Sequence, residues 1–339
     1  MKRIVLRPNE NTYSSACQFM KDSLGFESIE LFDGTGKSIK SGKEHLSEGV
    51  HSISGLLKNR SRLKHAEVVI AIGNASNILL LLMNKLHIIR PKAILWWAFF
   101  IHSKKAQTTM SKILKLLNSR NVHFVVFSEC EVEMYQKTLG LSKESMIYIP
   151  YGDWGNTPID FEDETVTGDF FFGGGYSNRD YRSLLNGWVK NLPQEKLVLI
   201  GSKNNADLVE FNDHYTGDKI RILFDTPSEV FDDYLTRSKA CILPFKENTG
   251  ASGQSVMLRC MRLNKLVIST DTDIMKEYVD QNSAILIHNY DDDLVDAVAK
   301  INSNPEGCVD ILKKQRHLYL TKFSYQTITR RLKQIVETV

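Results

Sequence analysis

Two segments of this 339-residue chain combine glycine, hydroxyl and cationic residues in patterns suited to holding an anion. The first is Asp169-Phe170-Phe171-Phe172-Gly173-Gly174-Gly175-Tyr176-Ser177-Asn178-Arg179-Asp180. An apolar strand runs into three glycines and then opens a helix. Glycine lets backbone approach a ligand closely, and a helix N-terminus offers N–H groups and the positive end of its dipole. Arg179 adds a planar guanidinium able to clamp a diphosphate. Asp180, in the first turn, can orient Arg179 or cap the helix. The second segment is Lys246-Glu247-Asn248-Thr249-Gly250-Ala251-Ser252-Gly253-Gln254-Ser255, after a strand that ends at Pro244. Here Ser252, Gly253, Gln254 and Ser255 bring backbone N–H groups to a second helix start. Each turn has a plainer reading as well: glycine serving a β–α turn, or Ser252 or Ser255 acting as an N-cap. Ligands of open parallel sheets bind beyond the carboxyl ends of the strands, where both turns would lie.

Other chemistry-bearing residues are fewer. Trp96-Trp97-Ala98-Phe99-Phe100-Ile101-His102-Ser103 ends a strand in aromatics and a histidine. His102 can serve as a general base on a hydroxyl, while the aromatics can equally be core. Asp271-Thr272-Asp273 and Asp291-Asp292-Asp293 read as helix starts rather than metal sites. The nine histidines show no metal-ligand spacing. Cys17, Cys130, Cys241, Cys260 and Cys308 form no CxxC pair, a pattern of reduced thiols.

The elements that must position these residues alternate along the whole chain. Strands are expected at Arg3–Leu6, Ser28–Phe32, Glu67–Ile72, Ala93–Trp97, His123–Phe127 and Met146–Ile149. A second series is expected at Asp169–Gly173, Lys196–Ile200, Ile220–Phe224, Ala240–Leu243, Leu266–Thr270 and Ala284–Ile287. Helical periodicity falls at Asn77–Leu86, Lys104–Asn118, Glu129–Leu139, Asp180–Val189, Ser228–Thr236, Ser255–Leu263, Asp292–Ile301 and Ser324–Val339. Such alternation predicts α/β architecture with parallel sheets and crossover helices. Pro150–Pro158 and the acidic Asp160–Glu164 read as a linker. The expected division is 1–155, 156–322 and a terminal helix, 323–339.

Charge divides along the same line. Residues 1–150 carry 21 Lys+Arg against 12 Asp+Glu, and residues 151–339 carry 22 against 28. A basic half can meet nucleic acid, an anionic membrane surface or a phosphorylated acceptor. The helix Lys104–Asn118 interleaves lysines with Met110, Ile113, Leu114 and Leu117. That suits an anionic membrane, or equally a helix packed on its own sheet. No apolar run reaches the roughly 18 residues of a membrane span, and the N-terminus reads as a strand rather than a signal peptide.

The two anion-type segments resemble the C-terminal domain of GT-B glycosyltransferases, in particular the family-4-like group. Gly174–Asp180 resembles that family's first phosphate loop. Ala251–Ser255 with Asn264–Thr270 resembles its donor loop, helix and following strand. Ser128–Glu131 with Leu139–Leu141 and Ile149–Gly152 resembles the end of its first domain, and Glu277 falls where the family often has a Glu. The resemblance covers roughly residues 120–300. It implies two Rossmann-like domains facing across a cleft and a C-terminal helix crossing back to the first. It also implies a nucleoside-diphosphate sugar as co-substrate and a glycan or lipid-linked acceptor, with no metal, no other cofactor and no nucleic-acid partner. Location would be cytoplasmic, peripheral at the inner face of the membrane. The donor set would be Gly174, Gly175, Ser177, Arg179, Asp180, Gly201, Ser202, Ser252, Gly253, Gln254, Ser255 and Arg259. The catalytic set would be His102, Arg179, Lys246 and Glu247, with cations and helix N-termini stabilising the leaving diphosphate. Members that retain configuration carry two Glu eight positions apart, where this chain has Ala251 and Arg259. Retention remains the expected outcome. The alternatives are a nucleotide-sugar epimerase of the same fold and a non-catalytic GT-B-like partner subunit.

Overall fold

A computed structural model describes residues 2–7, 14–31, 53–72, 75–97, 104–152, 166–176, 178–246 and 253–339. The expected linker from 153 onward, and His102, Ser177, Glu247 and Ser252, lie outside the described residues. Described residues up to 150, together with those from Tyr325 onward, form one compact unit. Those between, to Ser324, form a second.

The first unit runs β1 (Arg3–Arg7), α1 (Ser14–Leu24), β2 (Glu27–Glu30), α2 (Arg60–Lys64), β3 (Val68–Ile72), α3 (Ala75–Lys85), β4 (Ala93–Trp97), α4 (Lys104–Leu117), β5 (Val122–Val126), α5 (Glu129–Leu139) and β6 (Met146–Tyr148). Its strands form one parallel sheet in the order β2-β1-β3-β4-β5-β6. β3 and β4 are buried at every position, as strands covered on both faces must be. Trp96 and Trp97 are core residues, packing on Phe124 and Phe127 at centroid distances of 5.8 and 5.5 Å. Leu114 and Leu117 turn α4 onto the same core. α5 stops at Gly140, whose left-handed φ of 67° suits glycine.

The second unit runs β7 (Phe171–Gly174), α6 (Tyr181–Asn191), β8 (Leu197–Gly201), α7 (Ala206–His214), β9 (Ile220–Phe224), α8 (Ser228–Arg237), β10 (Ala240–Leu243), α9 (Gln254–Arg262), β11 (Leu266–Thr270), α10 (Asp273–Lys276), β12 (Ile285–Ile287), α11 (Asp292–Ser303) and α12 (Val309–Leu318). Its six parallel strands are ordered β12-β11-β10-β7-β8-β9. A five-residue π turn, Tyr319–Phe323, precedes the last helix, α13 (Tyr325–Thr338). α13 belongs to the first unit, where Tyr325 meets Phe19 of α1 edge-on at 5.0 Å and its hydroxyl bonds Ser23. Ile328, Leu332 and Val336 form its buried stripe. Among the described residues no helix is long and apolar enough to cross a membrane.

All twelve expected strands form, most with ends shifted by one or two residues. Helices α1, α2, α7 and α12 have no counterpart in the expected set. α2 is only five residues long, and α7 and α12 mix charge with apolar residues, so periodicity is faint.

Candidate functional site

The second sheet, read β9-β8-β7-β10-β11-β12, has the chain crossing from one side of β7 to the other between β9 and β10. This is the Rossmann order, and its switch point lies between the carboxyl ends of β7 and β10. The first expected turn, and the described ends of the second at Pro244–Lys246 and Gly253, follow these two strands.

The two turns are stitched together. The Asp180 N–H donates to Pro244 O at 2.7 Å and the Lys246 N–H to Asn178 O at 3.3 Å. Arg179 and Phe245 form an isolated antiparallel bridge within this stitch. Positive φ values of 131° at Gly175, 53° at Asn178 and 86° at Gly253 make the tight path. At Gly175 a Cβ would fall 2.8 Å from Arg179 Cζ, and at Gly253 it would overlap the Phe245 ring.

Arg179 thus packs against a glycine of each segment, Gly175 and Gly253. It is 3% exposed. Its Nε donates to Gly174 O at 3.1 Å, and its Cζ lies 4.4 Å from the Phe245 ring centroid. Burial pulls its pKa below the usual guanidinium value. The Tyr181 hydroxyl, also buried, donates to Gly175 O at 2.8 Å and braces the glycine turn. Asp180 acts as a cap: its carboxylate accepts from the Ser183 N–H at 3.2 Å.

The second turn enters α9 through Gly253, which occupies the N-cap position. The first N–H groups of a helix lack intrahelical acceptors. Gln254 is 6% exposed, and its Nε2 has no hydrogen-bond acceptor among the described residues. Such a buried donor costs about 1–3 kcal/mol, which a ligand oxygen would offset. Ser255 and Lys246 are exposed. The Phe245 N–H donates to Thr270 Oγ1 at 3.0 Å, and that hydroxyl lies 3.2 Å from the Tyr290 hydroxyl. Burial pushes the Tyr290 phenol up to about 12.

Other expected residues are placed differently. Gly201 ends β8, and Ser202 Oγ accepts from the Asn204 N–H at 3.1 Å. Arg259 turns toward α8: its Nε lies 2.7 Å from Asp232, it bonds Ser228, and it stacks over Phe231 at 4.8 Å. Thr272 caps α10, and Asp271 pairs with Lys276 at 3.1 Å. Asp291 pairs with Lys190 at 2.9 Å. Glu277 follows the single turn of α10 as its C-cap. Among the described residues no group of three or more His, Cys, Asp or Glu is placed to hold a metal ion.

Sequence reasoning missed Phe245, Tyr181, Thr270 and Tyr290. The usable signal was position: each flanks a strand end or helix start at the sheet's carboxyl edge, yet their types read as core.

No family model and no curated protein matches the chain. Solved structures do. HepE of Anabaena, crystallised with UDP and glucose, matches at 11% identity and a TM-score of 0.74, covering 100% of both chains. A glycosyltransferase of Rickettsia africae matches at 14% identity and 0.71, over 99% of this chain and 98% of that one. Sucrose-phosphate synthase of Thermosynechococcus elongatus matches at 14% and 0.70, over 100% and 99%. Identities this low speak for architecture alone, and the architecture shared along the whole chain is that of GT-B proteins, two Rossmann-like units with a C-terminal helix.

Proposed function

We propose that this chain is a glycosyltransferase of the family-4-like group that moves a sugar from a nucleoside-diphosphate donor to a hydroxyl of a glycan. The observation that carries this reading is the convergence of two glycine turns over one buried arginine, at the switch point of the second sheet. In this reading the diphosphate lies on the N–H groups at the starts of α6 and α9. Gln254 supplies a side-chain donor and Lys246 an exposed ammonium. Arg179 acts from beneath as a positioning and electrostatic group, its charge worth more in a dry interior than in water. Uridine diphosphate is the first donor to test, because HepE is crystallised with UDP, with UDP and glucose, and with UDP-glucose. The acceptor is a lipid-linked glycan of cell-surface polysaccharide, met at an anionic membrane on the cytoplasmic side. No metal takes part in transfer, and configuration is retained.

The test is thermal-shift titration against a panel of nucleoside diphosphates. One diphosphate should stabilise the wild type and lose that effect in Gln254→Leu and Lys246→Ala, which leave the buried arginine in place. No shift with any diphosphate would sink the reading and favour a non-catalytic subunit. Transfer assays with the stabilising donor then separate transfer from epimerisation by whether an acceptor is required, and anomeric analysis of the product reads the stereochemistry.

A further inference from the structure

The first unit carries a second concentration of chemistry, away from the carboxyl edge of its sheet. α3 and α4 run back over the sheet, so their C-terminal ends lie by the amino ends of β4 and β5. There the chain from Lys85 to Pro91 meets the chain from Asn118 to Asn121. Asn84 and Asn121 exchange side-chain hydrogen bonds at 3.0 and 3.2 Å. Asn121 also donates to Pro91 O at 2.9 Å, and Lys85 Nζ to Asn118 O at 3.4 Å. Both amides line an open cavity of about 600 Å³, together with Lys85, His87, Arg90 and Ser119.

The chain segments that line this cavity also carry exposed aliphatic side chains. Leu116 is 71% exposed and Leu86 61%, with Ile88 and Leu82 also exposed. They are four of the six large apolar side chains exposed among the described residues of the first unit. Leu82 lies in the last turn of α3, Leu86 follows the helix directly with its N–H donating to Leu82 O at 2.9 Å, and Leu116 lies in the last turn of α4, as does the exposed Lys115. Arg120, exposed, follows directly.

Charge along this stretch is one-sided. Residues 68–128 hold eight Lys and Arg and no Asp or Glu. One cation per helix end would complement the helix dipoles. Lys92 pairs with Glu67, just before this stretch, at 2.9 Å. The dipoles account neither for an exposed leucine at each helix end nor for the cations that remain. Aliphatic groups ringed by cations fit a bilayer boundary, where apolar side chains enter the acyl region and Lys and Arg meet lipid phosphates.

We propose that the loop 85–91 and the end of α4 form a docking surface for an anionic phospholipid membrane. Leu86, Ile88 and Leu116 insert, and a headgroup phosphate sits in the cavity between Lys85, His87 and Arg90. This rests on the membrane-side acceptor of the proposed function but on none of its donor chemistry. It differs from the membrane face expected for α4, whose apolar stripe is used up in the core.

The experiment is flotation of the full chain with phosphatidylcholine vesicles, with and without phosphatidylglycerol. The wild type should float with the anionic vesicles and remain behind with the neutral ones. Arg90→Gln with Arg120→Gln should weaken anionic binding roughly thirtyfold, at about fivefold per cation. Leu86→Ser with Leu116→Ser, charge unchanged, should weaken it more than tenfold. These positions are exposed, so thermal midpoints should match the wild type, and the diphosphate-induced shift should persist in both double variants. Absence of flotation with anionic vesicles would overturn the proposal, as would leucine variants that float like wild type. Preferential binding of single-stranded RNA, indifferent to the leucines, would overturn it in favour of a nucleic-acid surface. A wild-type dimer broken by the leucine changes, without vesicle binding, would overturn it in favour of an interface between copies. Lost flotation with an intact diphosphate shift removes this proposal alone; flotation without any diphosphate shift leaves it standing and removes the donor reading.

Discussion

Arg179 Cζ lies over the Phe245 ring, 4.4 Å from its centroid, and the two residues bridge the chain after β7 to the chain after β10. A desolvated cation on an aromatic face is worth about 2 kcal/mol. Phe245→Leu keeps most of the apolar volume and removes the ring. We expect a loss of about 2 kcal/mol in denaturant unfolding and a weaker diphosphate-induced thermal shift. Unchanged values for both would show that the stack does not hold the turns.

Gly253 carries a φ of 86°, and a Cβ there would overlap Phe245 and lie 3.1 Å from Arg179 Nη1. Gly253→Ala should cost about 1–3 kcal/mol in strain. It should also abolish the diphosphate-induced shift at concentrations that saturate the wild type, because the entry to α9 must move. Gly140→Ala, with its Cβ in near-open space at a similar φ, is the control: strained but with the shift retained.

The Tyr181 hydroxyl donates to Gly175 O from a buried position. Tyr181→Phe removes the donor and leaves a buried carbonyl short of a bond, at about 1–3 kcal/mol. The unfolding midpoint should fall while diphosphate affinity falls with it, since the same turn presents the N–H groups. A drop in stability with affinity untouched would separate the brace from the site.

Arg259 gives the opposite expectation. Its salt bridge with Asp232 at 2.7 Å and its stack over Phe231 are partly exposed. Arg259→Met should cost roughly 1 kcal/mol or less of stability and leave the diphosphate-induced shift intact. A lost shift would return Arg259 to the donor site.

His123, half-buried in β5, supplies a pH dependence. Burial lowers its pKa from the ordinary 6.5, offset in part by a hydrogen bond with the Glu144 backbone. On acidification the unfolded chain takes up this proton before the folded one. Stability is therefore whole above about pH 7 and falls as pH drops through about 6 toward the lowered folded value. His123→Gln should flatten that part of the curve of unfolding midpoint against pH. An unchanged curve would assign the acid sensitivity to other groups.

Twelve strands, the two parallel sheets and the two turns could be read from the chain, because each rests on local pattern. Buried parallel strands show as short apolar runs such as Val68–Ile72 and Ala93–Trp97, and a close backbone approach shows as Gly173–Gly175. What the sequence could not give is which side chains meet across the sheet. Arg179 reads as a diphosphate clamp because a guanidinium beside a glycine turn can meet a bound anion. Only the pairing of β7 with β10 brings Phe245 over it and buries it. Arg259 likewise reads as a donor contact from its place on α9, until the packing of α8 sets Asp232 and Phe231 beside it. Strand and turn follow from neighbours a few residues apart. Burial, ion pairing and the face a cation presents are set by residues far along the chain, which only the tertiary structure brings together.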